Sequence, residues 1–217
     1  MDKFLIIFVI SIGIIHSWAD PAAGTVTCGK IFKLVLPREI RPLNLSEIDQ
    51  ALVIFNDPIV QSMSHDKIQR DGLIYSLGNP KEFLYGIWSG EKMVGVVQAY
   101  QYPPGVAKFK KVQSLLERYP NRTKLVGIGL HLLPAYFGDG TSQFARQKLL
   151  EMTFADPEVG AVWAAVYRDN IRSRTYMEKF SGKPVVLAGE YNDYDYFFFT
   201  FEDYQKLTVT PDPRPSP

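Results

Sequence analysis

Residues 31–36 alternate apolar and basic side chains, and the alternation ends at Pro37. A period of two is typical of a β-strand, because successive side chains point to opposite faces of a sheet. Residues 38–43 continue as an edge segment, since Pro42 has no N–H to donate to a hydrogen-bond ladder. The pattern therefore predicts that the fold opens with a strand at the edge of a sheet.

Helical spacing replaces the alternation after this strand. Ser46 is the predicted N-cap of a helix that ends at residues 56–58. The apolar side of this helix is formed by Ala51, Leu52, Ile54 and Phe55. A second, weaker helical pattern covers residues 58–77, so two helices are expected before the next strand.

The remaining patterns switch between the two periods. Strands are predicted over residues 83–88, 92–100, 125–133, 159–167, 185–188 and 194–201, with a hairpin turn at 89–91. Helices are predicted over residues 142–154 and 169–180, and a polar, helical insert over 105–119. The helix over 142–154 is expected to bury Ala145, Leu149 and Met152. The order β-α-α-β-β-insert-β-α-β-α-β-β predicts one α/β domain with a mixed sheet.

A glycine-bearing loop joins the strand over 125–133 to the helix over 142–154. It runs Phe137-Gly138-Asp139-Gly140 and opens the helix at Thr141 or Ser142. Unpaired N–H groups and the helix dipole favour an anion at such a helix N-terminus, and phosphates of a nucleotide-like cofactor are its usual ligand. The Asp139-Gly140 pair is also a general turn signal, so the loop by itself leaves both interpretations open.

Composition narrows the class of partner. The 217 residues suffice for one buried domain, and 24 Lys and Arg against 23 Asp and Glu leave a net charge of +1. This balance predicts no nucleic-acid partner and no attraction to an anionic membrane by bulk charge. Cys28 is the only cysteine, so an internal disulfide is excluded, and no metal site is predicted.

The N-terminus differs in kind from the rest of the chain. Lys3 precedes an apolar stretch over residues 4–15, and small residues follow, with Ala19 the last of them. This arrangement predicts a signal peptide over residues 1–19, because the stretch is shorter than the roughly 20 residues of a membrane span. An uncleaved anchor, with membrane contact only through residues 4–18, and a miscalled start codon are the alternatives. The protein would be secretory or membrane-anchored in the first two cases and cytoplasmic in the third.

Three segments together resemble the GCN5-related N-acetyltransferase (GNAT) superfamily. Residues 40–49 are similar to its opening strand and helix, residues 128–140 to its acetyl-coenzyme A strand and pyrophosphate loop, and residues 170–180 to the next helix. Within the superfamily the chain most resembles the ribosomal-protein alanine acetyltransferases. The resemblance implies a twisted, mostly antiparallel sheet with a splayed parallel strand pair, flanked by helices. It implies a domain over residues 30–207, and the proline-rich residues 208–217 are expected to be a disordered tail.

The resemblance also implies a co-substrate and a site for it. Acetyl-coenzyme A would lie where the strands over 125–133 and 159–167 splay apart, with backbone groups of Leu132 and Leu133 bonded to its pantetheine arm. The pyrophosphate would be held by N–H groups of Phe137, Gly138, Asp139, Gly140, Thr141 and Ser142. Asn170 and Ser173, on one face of their helix, would contact the arm from the other side.

Several residues depart from the family's pattern. The family favours Arg or Gln where Phe137 stands, a basic or neutral residue at Asp139, and Gly or Ala at Ser142. Met177 occupies the position at which many relatives carry a tyrosine as the thiol acid. Tyr176 is the nearest candidate acid, but it lies about 100° around the helix from Met177 and is expected to face elsewhere.

His131 is the candidate base, because it is the only titratable side chain on the strand over 125–133 and its ordinary pKa suits proton transfer at neutral pH. The alternative is a histidine packed against a helix or exposed. Glu190, Asp193 and Asp195 are candidates for a base that acts through water, or simple turn residues. A further strand face either lines the acceptor site or is buried, and it carries Tyr194, Tyr196 and Phe198.

Two hypotheses of function follow. The first is an N-acetyltransferase that moves an acetyl group from acetyl-coenzyme A to a primary amine, on a small molecule or a protein N-terminus, by direct attack in a ternary complex. The second is a catalytically degenerate GNAT-fold binding protein, exported or membrane-anchored. Asn170 and Ser173 favour the first hypothesis, whereas Phe137, Asp139 and Met177 favour the second.

The signal-peptide prediction is tested by the N-terminus of the expressed protein. Cleavage after Ala19 gives a chain that begins at Asp20, because a small residue at that position suits signal peptidase. Intact-mass spectrometry measures the difference directly. A mass that retains Met1 would exclude processing and leave the anchor and the miscalled start codon.

Overall fold

The computed structural model describes residues 38–64, 68–102, 117, 121–181 and 193–209. The strands in these ranges are β1 (Arg38–Pro42), β2 (Glu82–Ser89), β3 (Lys92–Tyr102), β4 (Lys124–Leu132), β5 (Val159–Tyr167) and β6 (Tyr194–Thr200). The α-helices are α1 (Ile48–Phe55), α2 (Pro58–Ser64), α3 (Arg70–Gly78), α4 (Thr141–Phe154), α5 (Ile171–Ser181) and α6 (Phe201–Val209). Short 3₁₀ turns at Leu45–Glu47 and Pro134–Tyr136 precede α1 and follow β4.

All six strands form one sheet in the order β1-β2-β3-β4-β5-β6. Neighbouring strands are antiparallel except β4 and β5, which run parallel. The predicted mixed sheet with one parallel pair, flanked by helices, is therefore confirmed. The predicted edge segment is β1, and the predicted hairpin turn joins β2 to β3 through Gly90, whose φ of 61° is left-handed.

The parallel pair is short. Its register begins at Lys124 opposite Val159 and ends at Gly127 opposite Trp163. Both strands continue beyond this point, β4 to Leu132 and β5 to Tyr167, but without pairing to each other. The two strands therefore separate in the middle of the sheet and leave an opening between their carboxyl ends.

Helices cover both faces of the sheet. On one face, α4 packs against the central strands through Ala145, Leu149, Leu150 and Phe154, and α6 adds Phe201 and Tyr204. On the other face, α1 contributes Ile48, Ala51, Ile54 and Phe55, and α3 contributes Leu73. Apolar area removed from water on both faces is the main stabilising term, worth roughly 1.5–3 kcal/mol for each fully buried large side chain.

The first helix starts differently from the prediction. Asn44, not Ser46, caps the 3₁₀ turn that leads into α1, because its side-chain oxygen accepts the Ser46 N–H at 3.0 Å. The Glu47 carboxylate in turn accepts the Asn44 N–H at 3.1 Å, which completes a capping box, and it pairs with Arg41 at 2.7 Å. The predicted Ser46 cap is wrong because the helical turn already begins one residue after Asn44.

Three other predictions need correction. The helix predicted over residues 58–77 is two helices, α2 and α3. Met152 is 38 % exposed, because the buried face of α4 turns toward Leu150 and Phe154 instead. The last strand ends at Thr200, and Phe201 begins a helix that the apolar pattern did not indicate.

The predicted strands over 31–36 and 185–188 lie outside the described residues, as does Cys28. The predicted insert over 105–119 does too, apart from residue 117. In the described ranges, no helix is long and apolar enough to cross a membrane. The segment 1–19, predicted as signal or anchor, is not among those ranges, and neither are residues 210–217 of the predicted tail.

Gly95→Ala is predicted to destabilise the sheet where β3 pairs with β4. A Cβ at Gly95 would lie 2.8 Å from the backbone oxygen of His131 and 2.8 Å from the Ile87 side chain, so the strands would have to shift. We expect a loss of about 1–3 kcal/mol in the free energy of unfolding, measured by urea denaturation.

Gly129→Ala on the adjacent strand is the matched control. Its Cβ would meet nothing closer than the Gln98 side chain at 3.5 Å, an ordinary contact. The change in stability should stay within about 0.5 kcal/mol. Equal losses in the two variants would contradict the assignment of close packing to Gly95.

Candidate functional site

A cavity of about 600 Å³ lies where β4 and β5 separate. Its walls come from the second halves of these two strands, the loop and first turns of α4, the start of α5, and the end of α2. Its lining includes the side chains of Met63, His131, Leu132, Phe137, Ser142, Arg146, Asn170, Arg172, Ser173, Tyr176 and Tyr194. Gly138 and Gly140 line it with their backbones.

The loop after β4 is shaped by its glycines. Pro134 begins a 3₁₀ turn, and the Phe137 N–H donates to the Pro134 carbonyl at 3.0 Å. Gly138 and Gly140 then take left-handed φ values of 78° and 88°, which glycine adopts without steric penalty. Gly140 is the N-cap of α4 and has no side chain, so the N-cap residue itself offers no acceptor to the first turn, which lies at the cavity.

Asp139 turns away from the cavity and is neutralised. Its carboxylate accepts the Thr141 N–H at 2.9 Å and pairs with Arg38 of β1 at 3.0 Å. Arg38 also donates to the Asp139 carbonyl oxygen at 2.9 Å. Burial raises the pKa of Asp139, but the hydrogen bonds from Thr141 and the Arg38 guanidinium outweigh this and hold it below its usual value. The carboxylate is therefore ionised, paired and outside the cavity lining.

The cavity brings together most of the predicted binding residues. Leu132, Phe137, Gly138, Gly140, Ser142, Asn170 and Ser173 all line it. Leu133 does not: its N–H donates to the Val94 carbonyl and its own carbonyl accepts from Tyr136, both at 2.9 Å. Thr141 is buried and its N–H is bonded to Asp139. The N–H groups of Phe137, Thr141 and Leu133 are thus already used inside the protein.

Asn170 and Ser173 form the start of α5. The Asn170 side-chain oxygen accepts the Ser173 N–H at 3.1 Å, and its amide nitrogen lies 3.4 Å from the Met63 carbonyl oxygen. Asn170 therefore joins the end of α2 to the start of α5 while one side of it faces the cavity. Both residues lie on the cavity wall, where the resemblance to the GNAT superfamily led us to expect them.

His131 combines both interpretations of its role. It lines the cavity, and its ring packs on Phe55 of α1 with centroids 4.6 Å apart. Burial lowers its pKa from 6.5 to about 4, so the imidazole is neutral at physiological pH. Among the described residues Nδ1 has no hydrogen-bond partner. Nδ1 is itself buried, so a ligand in the cavity would have to reach the imidazole through the part of the ring that lines the cavity.

Tyr176 faces the cavity, which corrects the expectation that it would point elsewhere. Met177 is only 4 % exposed and packs with Ala164, Val166 and Phe197 beneath α5. Because Met177 points at the sheet, the preceding residue, about 100° around the helix, is directed toward the gap between α5 and α4. The phenol is therefore the tyrosine that α5 presents to the cavity.

The other candidate bases are placed outside the cavity lining. Asp195 is held between two arginines, 3.2 Å from Arg168 and 2.6 Å from Arg174. Asp193 is exposed in a turn, and Glu190 is not among the described residues. Of the predicted aromatic face, Tyr194 lines the cavity, whereas Tyr196 and Phe198 pack in a cluster with Trp163.

Two arginines that line the cavity, Arg146 and Arg172, were not predicted as site residues from the sequence. Arg146 of α4 is four residues after Ser142, and this helical spacing could have placed it beside the loop. Arg172 sits between Asn170 and Ser173 in sequence. Arg38 could not have been found in this way, because only the folded sheet brings it to residue 139, 101 positions later. In the described part of the chain, no cluster of His, Cys, Asp or Glu could hold a metal ion.

The chain matches one family model, described as an acetyltransferase (GNAT) domain, over residues 38–182. At the level of sequence it has no match among curated proteins. The matched segment contains the loop, both cavity arginines, His131 and Tyr176.

Solved structures with the same fold include Arabidopsis thaliana NAA60 in complex with acetyl-CoA, at 14 % identity, a TM-score of 0.62, and coverage of 76 % of this chain and 99 % of that chain. Aminoglycoside acetyltransferase AAC(6′)-Ib in complex with coenzyme A has 15 % identity, a TM-score of 0.59, and coverage of 80 % and 100 %. Spermidine N-acetyltransferase from Vibrio cholerae, with CoA and spermine, has 14 % identity, a TM-score of 0.56, and coverage of 77 % and 98 %. At these identities the likeness establishes the fold.

The burial of His131 predicts a specific loss of stability in acid. The unfolded chain takes up a proton at the ordinary pKa of 6.5, whereas the folded protein keeps the imidazole neutral down to about 4. Above pH 6.5 this group does not change the free energy of unfolding. As the pH falls toward 4 it lowers that free energy, by at most about 3–4 kcal/mol.

The measurement is urea denaturation of the wild type and of His131→Gln across this pH range. Carboxylates titrate in both proteins, so the difference between their free energies of unfolding isolates the histidine. The free energy of unfolding of the wild type should decrease relative to that of the variant as the pH falls. A difference that does not change with pH would show that His131 titrates normally.

Proposed function

This chain belongs to the GNAT acetyltransferase family, and from that premise we propose that it moves an acetyl group from acetyl-coenzyme A to a primary amine. The observation that carries the proposal is the cavity between β4 and β5, which has the N-terminus of α4, with Gly140 as its N-cap, and Tyr176 on its walls. A separated strand pair beside a helix N-terminus suits a ligand with a long amide-bearing arm and a phosphate at its end.

The binding mode follows from which backbone groups are unused. Beyond Gly127, β4 is paired with β3 on one side only, so its backbone on the β5 side is available to the pantetheine arm near Leu132. Gly138, Gly140 and Ser142 line the cavity, and their N–H groups would hold the pyrophosphate. Ser173 and Asn170 would contact the arm from α5.

The reaction is proposed as a direct attack in a ternary complex. The amine nitrogen bonds to the thioester carbonyl carbon, and the carbon–sulfur bond breaks. His131, neutral at physiological pH, would accept the proton from the amine, and the Tyr176 phenol would donate a proton to the departing thiolate. With a pKa of about 4 the imidazole is a weak base, so amines that are partly neutral at the working pH should react best.

The acceptor is proposed as an amine on a small molecule or at a protein N-terminus. Two of the structures with this fold are, by name, an aminoglycoside acetyltransferase and a spermidine N-acetyltransferase, so amine acceptors occur on this fold. We further propose that the chain is closest in role to the ribosomal-protein alanine acetyltransferases. That proposal rests on the same resemblance, which residues 40–49, 128–140 and 170–180 carry together.

Isothermal titration with acetyl-coenzyme A tests the proposal. The wild type should bind, and Gly140→Glu should abolish detectable binding. That substitution puts a side chain and a negative charge at the α4 N-cap, where φ is 88°. Release of free thiol on addition of primary amines would then show turnover.

Gly72→Glu is the matched control, since the same charge is placed on α3, where a Cβ meets nothing within 4 Å. This variant should bind as the wild type does. If the wild type does not bind acetyl-coenzyme A, the transferase proposal is wrong. Binding without thiol release for any amine tested would instead favour the catalytically degenerate binding protein.

A further inference from the structure

Two arginines from different helices flank the glycine loop. Arg172 of α5 places its guanidinium carbon 4.8 Å from the centre of the Phe137 ring. Arg146 lies one helical turn after Ser142 on α4. Its Nε is 3.3 Å from the Ser142 hydroxyl, and its Cζ is 4.3 Å from the centre of the Tyr176 ring. Both side chains line the cavity. Arg172 contacts Phe137 of the loop, and Arg146 contacts Ser142 in the first turn of α4.

Within the part of the chain that the structure describes, both guanidiniums contact neutral groups. Arg146 touches a hydroxyl, an aromatic ring and, at 2.7 Å, the Met177 sulfur, and Arg172 stacks on an aromatic ring. Arg146 is the more enclosed, and burial lowers the pKa of its guanidinium, although arginine stays protonated at any physiological pH. Arg172 is exposed, so burial affects Arg146 alone. For Arg146, a cation held away from water without an anion is costly, and an anionic ligand removes that cost.

The loop itself supplies no positive side chain. Its charged residue, Asp139, is neutralised from outside the cavity by Arg38. The positive charge near the N–H groups of Gly138, Gly140 and Ser142 therefore comes from α4 and α5. Phe137 contributes by holding the Arg172 guanidinium over its ring, where cation–π attraction fixes the side chain beside the loop.

We propose that Arg172 and Arg146 are ligands for the phosphates of coenzyme A, and that they provide from the two helices the charge that the loop lacks. This inference rests on the proposed function, since it names how the same cavity recognises its co-substrate. Guanidinium groups bind phosphate through paired N–H donors, which makes them stronger ligands than backbone N–H groups alone. Removal of Phe137 should act through Arg172, so Phe137 is a positioning residue.

The test is the affinity for coenzyme A of Arg172→Gln and Arg146→Gln, measured by isothermal titration over a range of KCl concentrations. Each loss of a charged hydrogen-bond partner should weaken binding about 10- to 100-fold. The wild-type affinity should fall as salt rises, and each variant should show a shallower fall, because one screened charge is gone. Lysine at either position should recover part of the affinity.

Arg122→Gln is the matched control. Arg122 also stacks on an aromatic ring, Phe201 at 3.4 Å, and donates to the Val159 carbonyl at 2.9 Å, but it is not on the cavity wall. It should change neither the affinity nor its salt dependence. Circular dichroism confirms that each variant is folded, and glutamine preserves much of the arginine's length.

Two results would overturn the proposal. One is wild-type affinity in both cavity variants. The other is weakened affinity with an unchanged salt dependence and no recovery with lysine, which would indicate that the arginines only shape the cavity. A wild type that does not bind coenzyme A at all would instead overturn the proposed function on which the inference depends.

Discussion

The separation of β4 from β5 after Gly127 is the constraint on which the site depends. The rings of Tyr100 and Trp163 pack over this glycine, and a Cβ there would collide with Tyr100. Beyond it, β4 is bonded to β3 alone, so one edge of a strand inside the sheet is left without a ladder partner. Buried backbone groups need partners, and a cavity that admits water or a ligand arm supplies them. The positions of α4 and α5 on the two sides of the opening follow from this.

Charge around the loop is arranged by the tertiary structure. The Arg38–Asp139 pair links the edge strand of the sheet to the loop and keeps a carboxylate out of the cavity. Arg146 and Arg172 approach the same loop from two helices. In sequence, the loop carries a negative residue, Asp139, where a phosphate is expected to bind. In the fold, three arginines surround this loop, and one of them, Arg38, neutralises Asp139. Phe137 stands where the family favours Arg or Gln, and its ring packs against the guanidinium of Arg172.

Sequence patterns predicted the secondary structure correctly where a single local preference determines it. The hairpin at Gly90, the strand that precedes the loop and the two strands after it were all predicted from alternation and turn residues, since side-chain period and φ preference act over a few residues. Predictions failed where two local choices compete. Asn44 displaced Ser46 as the cap because Glu47 could complete the capping box only with Asn44. Phe201 began a helix in a run of apolar residues that suits either element.

The sequence by itself determined the mixed α/β order and the glycine loop at a helix N-terminus, because strand period and glycine conformation are local properties. Asn170 and Ser173 were expected at the site from the resemblance to the GNAT superfamily, and both line the cavity. Only the tertiary structure decided which side chains reach the cavity. Rotation of α5, set by the burial of Met177, turned Tyr176 inward, and packing against α1 made His131 a neutral imidazole. The ion pair between Arg38 and Asp139 joins residues 101 positions apart. Helix rotation, burial and long-range pairing depend on neighbours that no local pattern specifies.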